Sequence, residues 1–466
     1  MNFLYLIAAG ILLGLTQNAS AESQMIQIKI NQPKFLLESA PIDKTFTQKT
    51  DHFNSSDRKT FKQRYFIDST LVKRNPAKAP VIYYLCGEST CEGATGVDLV
   101  NQIAKKYGAH RVALEHRYYG YSQPFATLAS QNMKFLSMKQ ALEDFASFQC
   151  YAQEQLGLQG KWISVGGSYP GELSAFYRMK HPELVVGALA SSAPVLAKDN
   201  FEEYDHHVAK VAGPVCLAAI QAAVVDVESK LRNPVSEVAI KKMFNAEKVR
   251  NNIDFLYVLA DMASVAIQYG YQKQFCDKII EGHKNGKVTE SYAEVGNSLF
   301  ANFGITAVQD SFQGAESINP QDYLGWAGMR SWMYQSCTEF GFYQVSYSNP
   351  AEASRSSQIT LQYHHDVCKR LFGITQPVNV QKTNSEFYYN LFNYDVKNIY
   401  FTNGANDPWS NLSLTEKNPD AGSNPGIKFF TISGASHCDD LGSRVSSALD
   451  QARGQFDQLV NQWLSE

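Results

Sequence analysis

The chain has 466 residues, 44% hydrophobic and 19% charged, a balance that supports a sizeable core and excludes a disordered, collagen-like or small disulfide-stapled chain. At roughly 150 residues per domain, the length allows about three domains, or one large domain carrying an insertion. A formal charge of −3 and a pI near 6.4 provide no cationic field, which sets aside nucleic acid and anionic membrane surfaces as partners.

Phe3 to Leu15 is an apolar run of signal-peptide length, and Ala19-Ser20-Ala21 supplies the small residues that signal peptidase accepts. The expectation is a signal peptide over 1–21, cleavage before Glu22, and a protein secreted, lysosomal, vacuolar or periplasmic according to its host. The run falls short of the roughly 20 residues a membrane span needs, and no later stretch replaces it, so no membrane partner is expected after cleavage. Eight cysteines (86, 91, 150, 216, 276, 337, 368 and 438) fit disulfides in an oxidising compartment, with their connectivity open. None forms a C-x-x-C pair, and no metal or cofactor is expected. Asn54-Ser-Ser and Asn411-Leu-Ser are glycosylation acceptors in a glycosylating host.

Short apolar runs at Pro80–Leu85, Arg111–Leu114, Trp162–Val165, Val185–Leu189, Ile399–Thr402 and Ile427–Ile432 predict buried strands. Helical patterns at Leu136–Tyr151 and Gly171–Lys180 lie between them, so the fold class is α/β with a mostly parallel sheet. Cys216–Arg232, Asn252–Tyr269 and Thr289–Phe303 carry helical periodicity, and strand signals are sparse between 196 and 396. The economical division is one α/β domain over 22–195 and 395–466, split by a helical insertion over 196–394. Ala452, Phe456, Leu459, Val460 and Trp463 predict a closing helix.

The most informative stretch is Lys161-Trp-Ile-Ser-Val-Gly-Gly-Ser-Tyr-Pro-Gly171. A strand, a Gly-Gly-Ser turn and an immediate helix are the context of a nucleophile elbow, which makes Ser168 the candidate nucleophile. Pro170 is tolerated because the first helical turn needs no N–H from it. In an α/β-hydrolase an acid and then a histidine follow on loops after later strands. Asp407 follows the Ile399 strand and His437 the Ile427 strand, although Asp439 and Asp440 compete for the acid's role. A serine hydroxyl needs such a base, and histidine titrates in the right range. The Glu88 and Tyr169 backbone N–H groups are the candidate oxyanion donors.

With these residues in hand, the chain resembles the S28 family of lysosomal and secreted serine exopeptidases, which includes prolyl carboxypeptidase, dipeptidyl peptidase 2 and thymus-specific serine protease. The landmarks run from about Thr47 to the C-terminus. They are Asp51-His-Phe, Thr60-Phe-Lys-Gln-Arg-Tyr65, Glu115-His-Arg-Tyr-Tyr-Gly120, Gly166-Gly-Ser-Tyr-Pro-Gly171, Arg178-Met-Lys-His-Pro182, Ala190-Ser-Ser-Ala-Pro194, Trp332-Met-Tyr-Gln-Ser-Cys-Thr-Glu339, Asn403-Gly-Ala-Asn-Asp-Pro-Trp409 and Gly434-Ala-Ser-His437. The resemblance implies an α/β-hydrolase fold with a helical cap, a Ser168–Asp407–His437 triad, peptide substrates cleaved near a terminus and often after proline, acidic operation, and a Cys337–Cys368 disulfide. A homodimer stays open as its assembly.

One position departs from the post-proline members: Glu172 stands where they carry methionine, four residues after the nucleophile. Burying an unpaired carboxylate is costly. Glu172 is therefore expected either to admit a polar or basic substrate group or to face solvent. Trp409 is the second candidate substrate contact, suited to stack on a ring. An esterase or lipase, and an inert hydrolase-like binding protein, are the competing functions. The landmarks and the complete set of Ser, Asp and His stand against them.

Overall fold

A computed structural model describes residues 44–305, 314–324, 328–418 and 421–466. The expected signal peptide lies outside the described residues. Among these, no helix is long and apolar enough to cross a membrane.

Eight strands form the central sheet in the order β1-β2-β4-β3-β5-β6-β9-β10. They are β1 (Thr45–Lys49), β2 (Thr60–Asp68), β3 (Val81–Leu85), β4 (His110–Leu114), β5 (Trp162–Gly167), β6 (Gly187–Ser191), β9 (Ile399–Gly404) and β10 (Ile427–Ile432). Two short strands, β7 (Lys198–Asn200) and β8 (Gly341–Tyr343), pair separately. β1 and β2 run antiparallel, and every pairing from β4 to β10 is parallel. β6, from the first part of the chain, pairs directly with β9, with Ala188 opposite Ile399. Strands on both sides of the 196–394 segment thus share one sheet, as in the α/β-hydrolase fold.

The strand residues alternate between two apolar layers. Ile82, Ala113, Ile163, Val165, Leu189 and Tyr400 pack against α1 (Asp98–Tyr107) and the C-terminal helix (Ser447–Ser465). Tyr83, Leu85, Val112, Trp162, Ala188 and Phe401 face the other way, toward α2 (Met138–Leu156) and α3 (Tyr169–Lys180). The second layer continues into the helices of the 196–394 segment: α4 (Glu202–Ala212), α5 (Pro214–Lys230), α6 (Pro234–Met243), α7 (Asn252–Gln268), α8 (Gln272–Lys284), α9 (Val288–Asn302), α10 (Met329–Gln335), α11 (Leu361–Phe372) and α12 (Val380–Glu386).

The structure adds β1 and β2, which the sequence pattern does not predict. Their runs, TFTQK and TFKQRYFID, interleave polar with apolar residues, as an antiparallel edge does when one face meets water. β6 begins two residues later than its apolar run, and α3 begins two residues earlier than Gly171.

The Glu115–Gly120 landmark is an electrostatic fastening between the sheet and the N-terminal strands. The buried Arg117 guanidinium donates to both Asp144 carboxylate oxygens, at 2.6 and 2.5 Å, and to the Lys49 and Thr50 carbonyls. Burial pushes the Asp144 pKa up, but Arg117 and His52 outweigh it and hold the carboxyl below its usual value of 3.8. Glu115 accepts from Arg64, Ser122 and the Cys91 amide. Gly120, at φ +52°, leaves room for that carboxylate, which would lie 2.0 Å from a Cβ at this position.

Substituting Arg117→Met removes the main partner of the buried Asp144 charge and leaves only His52 and Gln63 against it among the described residues. It is expected to lower the unfolding free energy by about 3–5 kcal/mol in urea denaturation. Because the Asp144 pKa is depressed, its stabilising contribution is complete above pH 3.8 and lost as pH falls through the folded-state value, so the deficit should shrink in strong acid.

Candidate active site

Ser168 sits at the C-terminal end of β5, where the sheet hands the chain to α3, and its backbone is left-handed at φ 63°, ψ −135°. A non-glycine residue there is strained by about 1–3 kcal/mol, and the turn persists because its surroundings fix it. A Cβ at Gly166 would lie 2.0 Å from the Pro170 carbonyl oxygen, and one at Gly167 would lie 2.9 Å from the Cys438 sulfur. The Ser168 N–H donates to the Ser191 carbonyl at 2.8 Å. The next residue, Ser192, accepts the Cys438 N–H on its hydroxyl at 2.9 Å. Two consecutive residues at the end of β6 therefore bind the backbones of Ser168 and of the residue after His437, which brings the elbow and the histidine loop together.

Asp407 is fully buried and divides its carboxylate between two tasks. Oδ1 accepts the Trp409 N–H at 3.0 Å, capping the single turn Pro408–Leu412, and Oδ2 lies 2.7 Å from His437 Nδ1. Nδ1–H is thus the donor to Asp407, and the Cys438 thiol also hydrogen-bonds the His437 ring. The competing acids are committed elsewhere. Asp440 accepts from the Ser191 and Thr402 hydroxyls, and Asp439 accepts from the Ser436 amide and Arg444.

The helical segment reaches this loop through Gln268, the last residue of α7, which the sequence does not single out. Its carbonyl accepts the His437 N–H at 2.8 Å. Its side-chain oxygen accepts the Trp409 indole N–H at 3.1 Å and the Tyr204 hydroxyl at 2.7 Å. Tyr269 then sets its ring edge-on to His437, with centroids 5.9 Å apart. Trp409 itself is packed by Phe201, Tyr204 and Phe342, so its buried ring forms part of an aromatic wall.

Tyr169 is held just as firmly. Its hydroxyl lies 3.0 Å from His116 Nε2 and accepts from Gln335 at 2.9 Å, while Gln335 accepts from Tyr119. His116 Nδ1–H donates to the Arg117 carbonyl, and burial lowers its pKa to about 4, so it is neutral and accepts the tyrosine proton. The Tyr169 N–H has no protein acceptor among the described residues. Gly87 packs against this turn, since a Cβ there would lie 2.4 Å from the Pro170 ring; this brings the Gly87-Glu88 loop to the elbow. The Glu88 amide lies within reach of its own carboxylate, and its carbonyl accepts the Gly328 N–H.

Glu172 is 1% exposed, so the solvent-facing alternative does not hold. Burial pushes its pKa well above 4.5, and the nearby Glu339 and Glu88 carboxylates push in the same direction. Cys337 and Cys368 are disulfide-bonded, as are Cys86 with Cys91 and Cys216 with Cys276. Cys150 and Cys438 are free. Both acceptor asparagines are exposed, and the Asn411 amide nitrogen donates to the Pro408 carbonyl.

A strained serine on a strand-to-helix turn, beside a buried carboxylate–imidazole pair on an α/β-hydrolase sheet, defines a serine hydrolase. The model of the serine carboxypeptidase S28 family matches residues 48–453, and the chain belongs to that family. It is a serine peptidase and acts on peptides. Among its relatives, the probable serine protease EDA2 of Arabidopsis thaliana is 37% identical, over 79% of this chain and 75% of the relative. The thymus-specific serine protease of Mus musculus is 30% identical, over 90% and 87% respectively. The lysosomal Pro-X carboxypeptidase of Bos taurus is 28% identical, over 90% and 87%.

Burial alone would lower the His437 pKa, but the Asp407 carboxylate overrides it and holds the imidazole well above 6.5. With His437 as the base, its neutral form is lost as pH falls through that raised value, so the acid limb of kcat/KM is expected above pH 6.5, against the acidic operation that the resemblance implies. Asp407→Asn removes the largest of the contributions that oppose burial and leaves that of Cys438 in place. The limb should move to lower pH and kcat/KM should fall by about 10⁴-fold, both read from pH–rate profiles. A limb that stays in place in the variant contradicts this assignment.

Proposed function

We propose that the protein is a serine exopeptidase that hydrolyses short peptides through an acyl-enzyme on Ser168. The observation that carries this reading is the 2.7 Å Asp407–His437 contact beside a serine held at φ 63°. His437 Nε2 takes the Ser168 proton as Oγ bonds to the scissile carbonyl carbon. The tetrahedral oxyanion is held by the Tyr169 and Glu88 N–H groups. Collapse breaks the C–N bond, and His437 returns the proton to the leaving amine. Water then repeats the sequence on the ester and frees Ser168. An oxyanion donor of this kind is worth about 3–4 kcal/mol in the transition state.

The 196–394 segment acts in this reading as a cap that restricts access to chain ends. Gln268 supports that role, because the segment is bonded directly to the histidine loop. Signal cleavage before Glu22 would deliver the enzyme to a secreted or lysosomal-type compartment, and the three disulfides fit such an environment. Cleavage after proline rests on the resemblance alone, since Glu172 provides no apolar surface for the ring.

A fluorophosphonate probe should label the wild type and spare Ser168→Ala. Peptide-library digestion read by mass spectrometry should then show losses confined to one terminus. Labelling without peptide hydrolysis, or cleavage spread through peptide interiors, contradicts the exopeptidase reading.

A further inference from the structure

Glu172 lies one helical turn beyond Ser168, at i+4, and therefore on the same face of α3. Helical side chains lean toward the N-terminus of their helix, so the Glu172 carboxyl is directed back toward the turn that carries Ser168. It is almost wholly buried, and its Oε2 has no hydrogen-bond partner among the described residues. Most buried acids are paired, as Asp144 is with Arg117 and His52. Around Glu172 the arrangement is reversed, because the two charges that reach it are both carboxylates.

One of these, Glu339, accepts the Met138 N–H on both oxygens; Lys382 and Glu386 act on it with opposite sign. The other, Glu88, stands on the loop packed against the elbow, and His437 acts on it with opposite sign. The buried Glu172 carboxyl thus stands one turn beyond the candidate nucleophile, with one oxygen that has no hydrogen-bond partner among the described residues. Such a site rejects an apolar group, which leaves the acid unpaired, and accepts a group that brings a compensating charge and N–H donors.

We infer that the site beside Ser168 selects peptides that place an ammonium or guanidinium group on the Glu172 carboxylate. The inference rests on the peptidase reading above and names its substrate class. The cation can come from a Lys or Arg side chain at the scissile bond or from the free α-amine of a short peptide. A charge-assisted contact of this kind is worth about ten- to a hundred-fold in kcat/KM over an isosteric neutral group.

The test uses matched peptides with Lys, Arg, norleucine or Pro at the acyl position, each with a free and an acetylated N-terminus. Wild type should favour Lys over norleucine by about tenfold or more if the side chain is the source. It should favour free over acetylated peptides, whatever the side chain, if the α-amine is. The Glu172→Gln substitution should collapse whichever ratio is present toward unity. In the wild type, n-butylammonium should inhibit neutral-peptide cleavage competitively and more strongly than n-butanol, a comparison that needs no variant. Peptide hydrolysis with both ratios near unity, or unchanged in Glu172→Gln, overturns the inference alone, as does butylammonium no stronger than butanol. Fluorophosphonate labelling with no peptide hydrolysed overturns the peptidase reading and this inference with it.

Discussion

The contact between Asp407 Oδ2 and His437 Nδ1 lies where water does not reach, on two loops that follow neighbouring strands. Each loop is anchored by hydrogen bonds of its own. Asp407 is fixed by the turn it caps, and His437 by the Gln268 carbonyl at the end of α7. Gln268 also receives Trp409 from the aspartate loop and Tyr204 from α4. One side chain and its own carbonyl therefore hold both loops in register, and they belong to the helical segment rather than to the sheet. The helices over 196–394 are part of what sets the imidazole, beyond any role in admitting substrate.

The same logic governs the elbow. Ser168 occupies a backbone conformation that it would leave if free to do so, and it is kept there by Gly166, by the Ser191 carbonyl and by the locked Tyr169. Buried charge is handled in two opposite ways nearby. Asp144 is surrounded by donors and fastens the N-terminal strands, whereas Glu172 is disfavoured as an anion by burial, Glu339 and Glu88 and has an oxygen with no partner among the described residues. Leaving a buried carboxyl in this state costs stability, and such a cost tends to be retained where a ligand relieves it.

The parallel strands were legible in the sequence because strands buried on both faces are continuous apolar runs, and β10 falls on its expected bounds. The edge strands β1 and β2 were not, since their alternation of polar and apolar residues in short runs resembles loop composition. The placement of Ser168, Asp407 and His437 could be read because each follows a strand into a turn, which is a local signal. Gln268, His116 and Gln335 could not. Their roles come from contacts with residues far away in sequence, such as the 166 positions between Gln335 and Tyr169. The choice among Asp407, Asp439 and Asp440 likewise needed the partners that occupy the last two.

The most direct measurement is the rate at which a fluorophosphonate acylates Ser168 in a Gln268→Leu variant, followed across pH beside the wild type. The substitution leaves the backbone carbonyl in place but removes the acceptor shared by Trp409 and Tyr204. If α7 sets the catalytic pair, the labelling rate should fall about tenfold or more while the variant still melts cooperatively, because buried donors left unpaired let the aspartate loop shift. A labelling rate and acid limb equal to those of the wild type would contradict the claim that the helical segment holds His437 and Asp407 in place.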